Sequence, residues 1–145
     1  MNEANADRGH DMEEKSTLLK IVSRQRDADG MTAEQTDTYR AMIGTQGETI
    51  CLRYEIEGDK AAMRIQDGAV EILREGALRM KLFIRPGRTL PGMYVTPYGE
   101  MDIAVHGHRV MIAQEGARCE VCMAYDVLMG GKLAFSNDVR AVFRR

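Results

Sequence analysis

From Ser16 to the C-terminus the chain keeps an odd–even alternation of apolar and polar residues, the rhythm of a half-buried sheet, whose successive side chains point to opposite faces. No helical stripe of apolar residues runs through it. The alternation is clearest from Ala117 to Met129, where Ala117, Cys119, Val121, Met123, Tyr125, Val127 and Met129 share one face while Arg118, Glu120 and Asp126 take the other. The next segment places Leu133, Phe135, Val139, Ala141 and Phe143 inward. Gly130-Gly131 between them reads as a two-residue hairpin turn, because glycine tolerates the positive φ that primed turns demand.

Earlier segments follow the same scheme. Ile50, Leu52, Tyr54 and Ile56 alternate within Glu48–Glu57, and Leu78, Met80, Leu82 and Ile84 form a further inward column. Asp67-Gly68 joins Ala61–Gln66 to Ala69–Arg74 and is a strong hairpin signal. Further turns are expected at Asp27–Gly30, Gly44–Gly47, Gly58-Asp59, Glu75-Gly76, Gly107 and Glu115-Gly116. The count is about ten strands joined by hairpin-length turns, so sequence neighbours become antiparallel spatial neighbours. A meander with one apolar face per strand must pack as two layers or close on itself, and closure removes the edges an open sheet would expose. The expected fold is all-β, a single closed antiparallel up-and-down barrel of about 8–10 strands. It occupies residues 16–145, behind a polar tail over residues 1–15 that carries five acids and has room for a short helical turn near Asp11–Lys15.

The stretch Ala69–Val105 organises this reading. Arg85–Gly92, with two prolines, reads as a loop, and Pro97 with Gly99 as a bulge or kink that bends one long strand around a barrel corner. Arg74-x-Gly76, the Arg85-Pro86-Gly87 turn and above all Tyr94-x-Thr96-Pro97-Tyr98-Gly99 resemble the YwiB-like family, also called DUF1934, over about residues 21–143. The resemblance implies a calycin-like, lipocalin-type barrel in a bacterial, cytoplasmic protein, and it brings no established activity.

Charge narrows the partners. With 20 Lys+Arg against 22 Asp+Glu the chain has no electrostatic footprint for nucleic acid or an anionic membrane. No apolar run is long enough for a membrane-spanning helix, and three cysteines are too few for a disulfide scaffold, so a cytoplasmic location is expected.

The usual catalytic and metal signatures find little support. Cys119-Glu120-Val121-Cys122 has zinc-ribbon spacing, but on a strand positions three apart face opposite sides, leaving Cys119 inward and Cys122 outward. His106-Gly107-His108 lacks a visible third ligand. Phosphate-cradling glycine loops and nucleophile elbows are absent, so no enzyme, metal or cofactor is expected.

The interior is the better candidate. Tyr54 and Tyr125 fall on apolar columns, Asn137 interrupts one, Arg74 continues the Val70–Ile72 column, and Tyr94 and Tyr98 come from the corner segment. One reading clamps an anion-ended apolar ligand between Arg74 and tyrosine hydroxyls. The favoured alternative makes Arg74 a structural ion pair or a strand-end side chain reaching water. The expected function is therefore binding of a small apolar or amphipathic molecule inside the barrel. A solidly packed protein-interaction module is the second reading, and a homodimer is among the expected assemblies.

Overall fold

The computed structural model describes residues 13–145, which form ten strands and no helix. They are β1 (Glu13–Asp27), β2 (Thr32–Gln46), β3 (Thr49–Ile56), β4 (Asp59–Gln66), β5 (Ala69–Glu75), β6 (Arg79–Ile84), β7 (Thr89–Thr96), β8 (Gly99–Glu115), β9 (Arg118–Met129) and β10 (Lys132–Arg144). Each pairs antiparallel with its sequence neighbours, and β1 pairs with β10 from Lys20↔Val142 to Asp27↔Phe135, closing the ring. The expected barrel is the observed one. Its wall begins earlier than residue 16, because Glu13, Glu14 and Lys15 already pair with Thr45, Gly44 and Ile43. The rest of the expected tail lies outside the described residues.

Turn chemistry explains the register. Asp67 and Gly68 both have positive φ (52° and 71°), as do Gly130 and Gly131 (58° and 78°), which is the geometry of a primed two-residue hairpin. The β3–β4 turn is Glu57-Gly58, also with both φ positive, so Asp59 opens β4 instead of sitting in the turn.

Four local expectations are corrected. Thr96 pairs with Gly99, so Pro97-Tyr98 is the tip of a tight β7–β8 hairpin, not a kink in one long strand. Pro91 and Gly92 lie inside β7; Pro91 pairs with Ala104 of β8, while β6 pairs with β7 only at Met93–Val95, so the missing N–H faces a side where no ladder bond is made. Gly107 is no turn but part of the seventeen-residue β8, where the register slips by one at His108. A Cβ at Gly107 would lie 2.4 Å from the Arg85 carbonyl oxygen, which is why the β6–β7 loop can lie against it. Leu133 points outward, because a bulge at Ala134 flips its phase relative to Phe135.

The two ends of the barrel differ. The turns after β1, β3, β5, β7 and β9 define an upper rim, and those after the even-numbered strands a lower one. The lower half is solid: Leu19, Leu52, Met63, Ile65, Val70, Ile84, Val105, Val121, Met123 and Phe143 are all essentially without solvent exposure. Toward the upper rim the inward side chains become half-buried, as at Ile72, Met80, Tyr94, Met129 and Phe135.

Phe143 fills the lower core, so Phe143→Ala is expected to cost about 3–5 kcal/mol in a urea titration, with the far-UV β signature retained below the midpoint. A loss under 1 kcal/mol would contradict the packed lower half.

Candidate functional site

Above the solid half, the interior opens into a chamber of about 540 Å³. Two cross-strand rows shape it. Gln25 of β1 pairs with Asn137 of β10, which pairs with Tyr125 of β9, so the ladder lays three polar side chains side by side on one wall. Met80 of β6 pairs with Tyr94 of β7, which pairs with Met101 of β8, giving a row in which polarisable sulfur flanks an aromatic ring on both sides. Ile72, Leu82, Ile103, Val127, Met129 and Phe135 supply the remaining, apolar lining.

The chamber holds no formal charge on its lining residues, and Arg74 is engaged elsewhere. Its Nε donates to Oδ2 of Asp59 at 2.9 Å, with both side chains largely buried. Asp59 also accepts from the Ala77 and Leu78 backbone N–H groups, at 2.9 and 3.2 Å. Those two amides belong to the β5–β6 turn. Gly76 completes the arrangement, since a Cβ there would fall 1.9 Å from Asp59 Oδ1. The Ala77 amide, the Arg74 guanidinium and the Leu78 amide outweigh desolvation and hold the Asp59 carboxyl below the usual carboxylate range. Arg74 and Gly76, the two residues of the Arg74-x-Gly76 motif, thus serve one carboxylate.

Tyr54 stacks against Tyr39 at 5.1 Å between ring centroids, where β2 has parted from β3. Burial pushes the Tyr54 hydroxyl up to about 12, aided by Tyr39 and Tyr125, and burial alone pushes Tyr125 to about 12. Both are neutral hydrogen-bonding groups at any physiological pH. Outside this pair, a cleft of about 900 Å³ follows the parted strands and is walled by charged side chains of the outer face such as Arg40, Arg53, Glu55 and Lys60. A smaller hollow of about 360 Å³ lies near Phe83, Arg85 and Leu90, where β6 leaves β7. Of the three, only the chamber has a lining free of charged side chains, with apolar walls and a few neutral polar groups, the usual make-up of a small-molecule site.

The candidate residues therefore divide. Tyr94, Tyr125 and Asn137 line the chamber, Tyr54 belongs to the β2–β3 cleft, and Arg74 is the partner of Asp59. Tyr98 stands 99% exposed at the hairpin tip, because Thr96-Pro97-Tyr98-Gly99 is a turn whose second central residue has no neighbour to pack on. Sequence reasoning missed Gln25 and Asp59. Each was in phase with an inward column, Gln25 with Leu19, Ile21 and Ser23, and Asp59 with Ala61, Met63 and Ile65.

On the outer wall, His108 Nε2 lies 2.8 Å from Asp126, His106 meets His108 edge-on at 4.9 Å, and the Thr89 hydroxyl lies 2.7 Å from His106 Nδ1. Cys119 is buried and Cys122 faces outward, so the two sulfurs do not converge. Among the described residues no group of three or more His, Cys, Asp or Glu side chains is placed to hold a metal, and no helix is long and apolar enough to cross a membrane.

A ten-stranded antiparallel ring, packed at one end and hollow at the other, defines a calycin-like barrel. The sequence matches the model of the family described as a domain of unknown function, DUF1934, over residues 11–140, and the chain belongs to that family. The ywiB protein from Bacillus subtilis has a similar crystal structure, with a TM-score of 0.82 at 18% identity over 94% of this chain and 96% of that one, a likeness of fold. No curated protein matches the sequence.

The clamp makes a pH-dependent contribution to stability. Because the folded-state carboxyl of Asp59 titrates below its unfolded value of about 4, its stabilisation is complete above that value and is lost as pH falls through the folded one. Urea midpoints taken between neutral pH and pH 3 should fall for the native chain, and Asp59→Asn should start lower and fall less steeply over the acid range. Gly76→Ala should also lower the midpoint at neutral pH, since the added Cβ displaces the carboxylate from its amides. Parallel acid limbs in native and Asp59→Asn chains would remove the clamp from this account.

Proposed function

We propose that this protein binds a small, neutral, largely apolar molecule in the upper chamber, with Tyr94, Tyr125, Asn137 and Gln25 fixing its polar groups. The observation that carries the reading is the chamber itself: about 540 Å³ of interior space, within the usual range for ligand pockets, with apolar walls and one polar row. A ligand's anionic end would find no free cation there, because Arg74 is committed to Asp59. The preferred ligand is accordingly uncharged instead of a fatty acid anion. Binding without turnover fits side chains such as Tyr125, whose proton is held to about 12 and which is thus a poor base at neutral pH.

The near-neutral charge of the chain favours neither nucleic acid nor an anionic membrane as a partner, and three free thiols suit a reducing cytoplasm. The DUF1934 match and the likeness to a Bacillus protein support a bacterial origin.

Two measurements test the proposal. Native mass spectrometry of protein purified from its own host should show a non-covalent adduct that disappears under denaturing conditions. The neutral probe N-phenyl-1-naphthylamine should bind with one-to-one stoichiometry and more tightly than its anionic sulfonate relative, and Ile72→Trp, which fills the chamber, should weaken it at least tenfold. Equal probe binding by the filled variant, after circular dichroism shows it folded, would place the probe outside the chamber and overturn the reading.

A further inference from the structure

The ring is closed, yet β8 leaves it partly unpaired. β7 pairs with β8 only from Gly99 to His106, and the β6–β7 loop then occupies Gly107 through the Gly87 amide and the Arg88 carbonyl. Beyond that point, Arg109 to Glu115 pair with β9 on one side and with no strand on the other among the described residues. This is a seven-residue free edge in extended conformation. It also exposes apolar side chains, Met111 at 59% and Ile112 at 45%.

Free edges in natural sheets are normally blunted by charge, proline or a covering element. A longer free edge obeys that rule: β2 from Thr32 to Arg40 carries Glu34, Asp37 and Arg40 and no exposed large apolar side chain. The β8 edge does not. Its charges sit only at its two ends, Arg109 and Glu115, with Val110-Met111-Ile112-Ala113-Gln114 between them.

That arrangement is self-complementary. If two copies of the edge pair antiparallel about a two-fold axis with full overlap, the axis falls on Ile112, the central residue of the seven. Arg109 then lies opposite Glu115 of the partner, on the same outer face, and Met111 lies opposite Ala113. The symmetry repeats each pair, giving two ion pairs at the ends of an apolar centre. Shifting the register by two residues shortens the overlap and breaks both ion pairs, and shifting by one would set outer-face residues against inner-face ones. Arg109 is available for the pairing, because its contact with Asp138 is long, at 3.7 Å, and both side chains are exposed.

We propose that the partner of this edge is a second copy of the chain, joined through β8–β8 pairing centred on Ile112 to make one sheet continuous across two barrels. The interface is isologous, as closed two-fold dimers require. It lies on the lower half of β8, away from the upper rim and its chamber, so dimerisation and ligand binding are separable.

Sedimentation equilibrium over a range of concentrations tests the assignment, with circular dichroism and thermal melting confirming that each variant is folded. The native chain should self-associate to twice its own mass. Ile112→Lys, which sets two like charges on the axis, should be monomeric throughout. Arg109→Glu alone and Glu115→Arg alone should each weaken the dimer by roughly tenfold, by turning two attractive cross-strand pairs into repulsive ones. The double charge swap, Arg109→Glu with Glu115→Arg, should restore it. A native chain that stays monomeric at every concentration would overturn the proposal. So would a dimer that survives Ile112→Lys, or one that the two single reversals weaken and the double swap fails to rescue.

Discussion

Closure of the ring is the constraint on which the rest depends. Nine of the ten ladders join strands adjacent in sequence and can form locally, whereas the β1–β10 ladder joins the two ends of the domain across more than a hundred residues. Only this contact carries the full entropic cost of bringing the chain ends together. Once made, it fixes every other register, since a slip in one strand would have to be absorbed around the whole circle. The seam is reinforced by packing and by polar contact: Leu19 and Ala141 are without exposure on either side of it, and the Arg144 amide donates to the Thr17 hydroxyl at 3.0 Å.

A closed sheet of ten strands has more interior than the side chains of this sequence fill. The lower half is filled by Phe143, Met123, Leu52 and their neighbours, which are essentially without solvent exposure. In the upper half the same columns continue with tyrosines, methionines, Asn137 and Gln25, and space remains. A hollow end has few apolar contacts to hold its turns. The Asp59 clamp meets that need differently, by tying the β5–β6 turn amides and Arg74 to one carboxylate at the upper end of β4. Charge-assisted bonds to backbone amides hold geometry without filling volume, so the rim can be ordered while the chamber stays open.

The fold was legible because its signal is repetitive. Ten alternating segments, with Asp67-Gly68 and Gly130-Gly131 between them, each restate the same period, and closure follows from their number. What the sequence hid was every place where the period is broken by one residue. The bulges at His108 and Ala134 leave no compositional mark, so Gly107 read as a turn and Leu133 as core. Pro97 and Gly99 did leave a mark, but the same residues serve a kink or a hairpin tip, and only the pairing of Thr96 with Gly99 separates the two. The candidate site was half legible for a related reason. Tyr94, Tyr125 and Asn137 stand out on apolar columns, whereas Asp59 looked like a turn residue until β4 was seen to begin with it. Arg74 was then bound to remain ambiguous, since a buried cation is interpretable only through its anion.

The bulge at His108 also explains how one strand can serve two surfaces. Above it, β8 is an ordinary wall strand, paired on both sides from Ile103 to His106, and contributes Met101 and Ile103 to the chamber. The extra residue puts the consecutive His108 and Arg109 both on the outer face, where His108 meets His106 edge-on and reaches Asp126, and it increases local twist. Below it, β8 stays with β9 while β7 and the β6–β7 loop go no further, which leaves Arg109–Glu115 unpaired on one side. A straight β8 paired with β7 along its whole length would have no such edge. A β8 ending at Gly107 would only move the free edge to Arg118–Ala124 of β9, beside the buried Cys119, Val121 and Met123. Covering β9 explains the length of that segment but not its apolar centre and opposite charges at the ends, and in the proposed dimer that pattern acquires a role that leaves the upper chamber untouched.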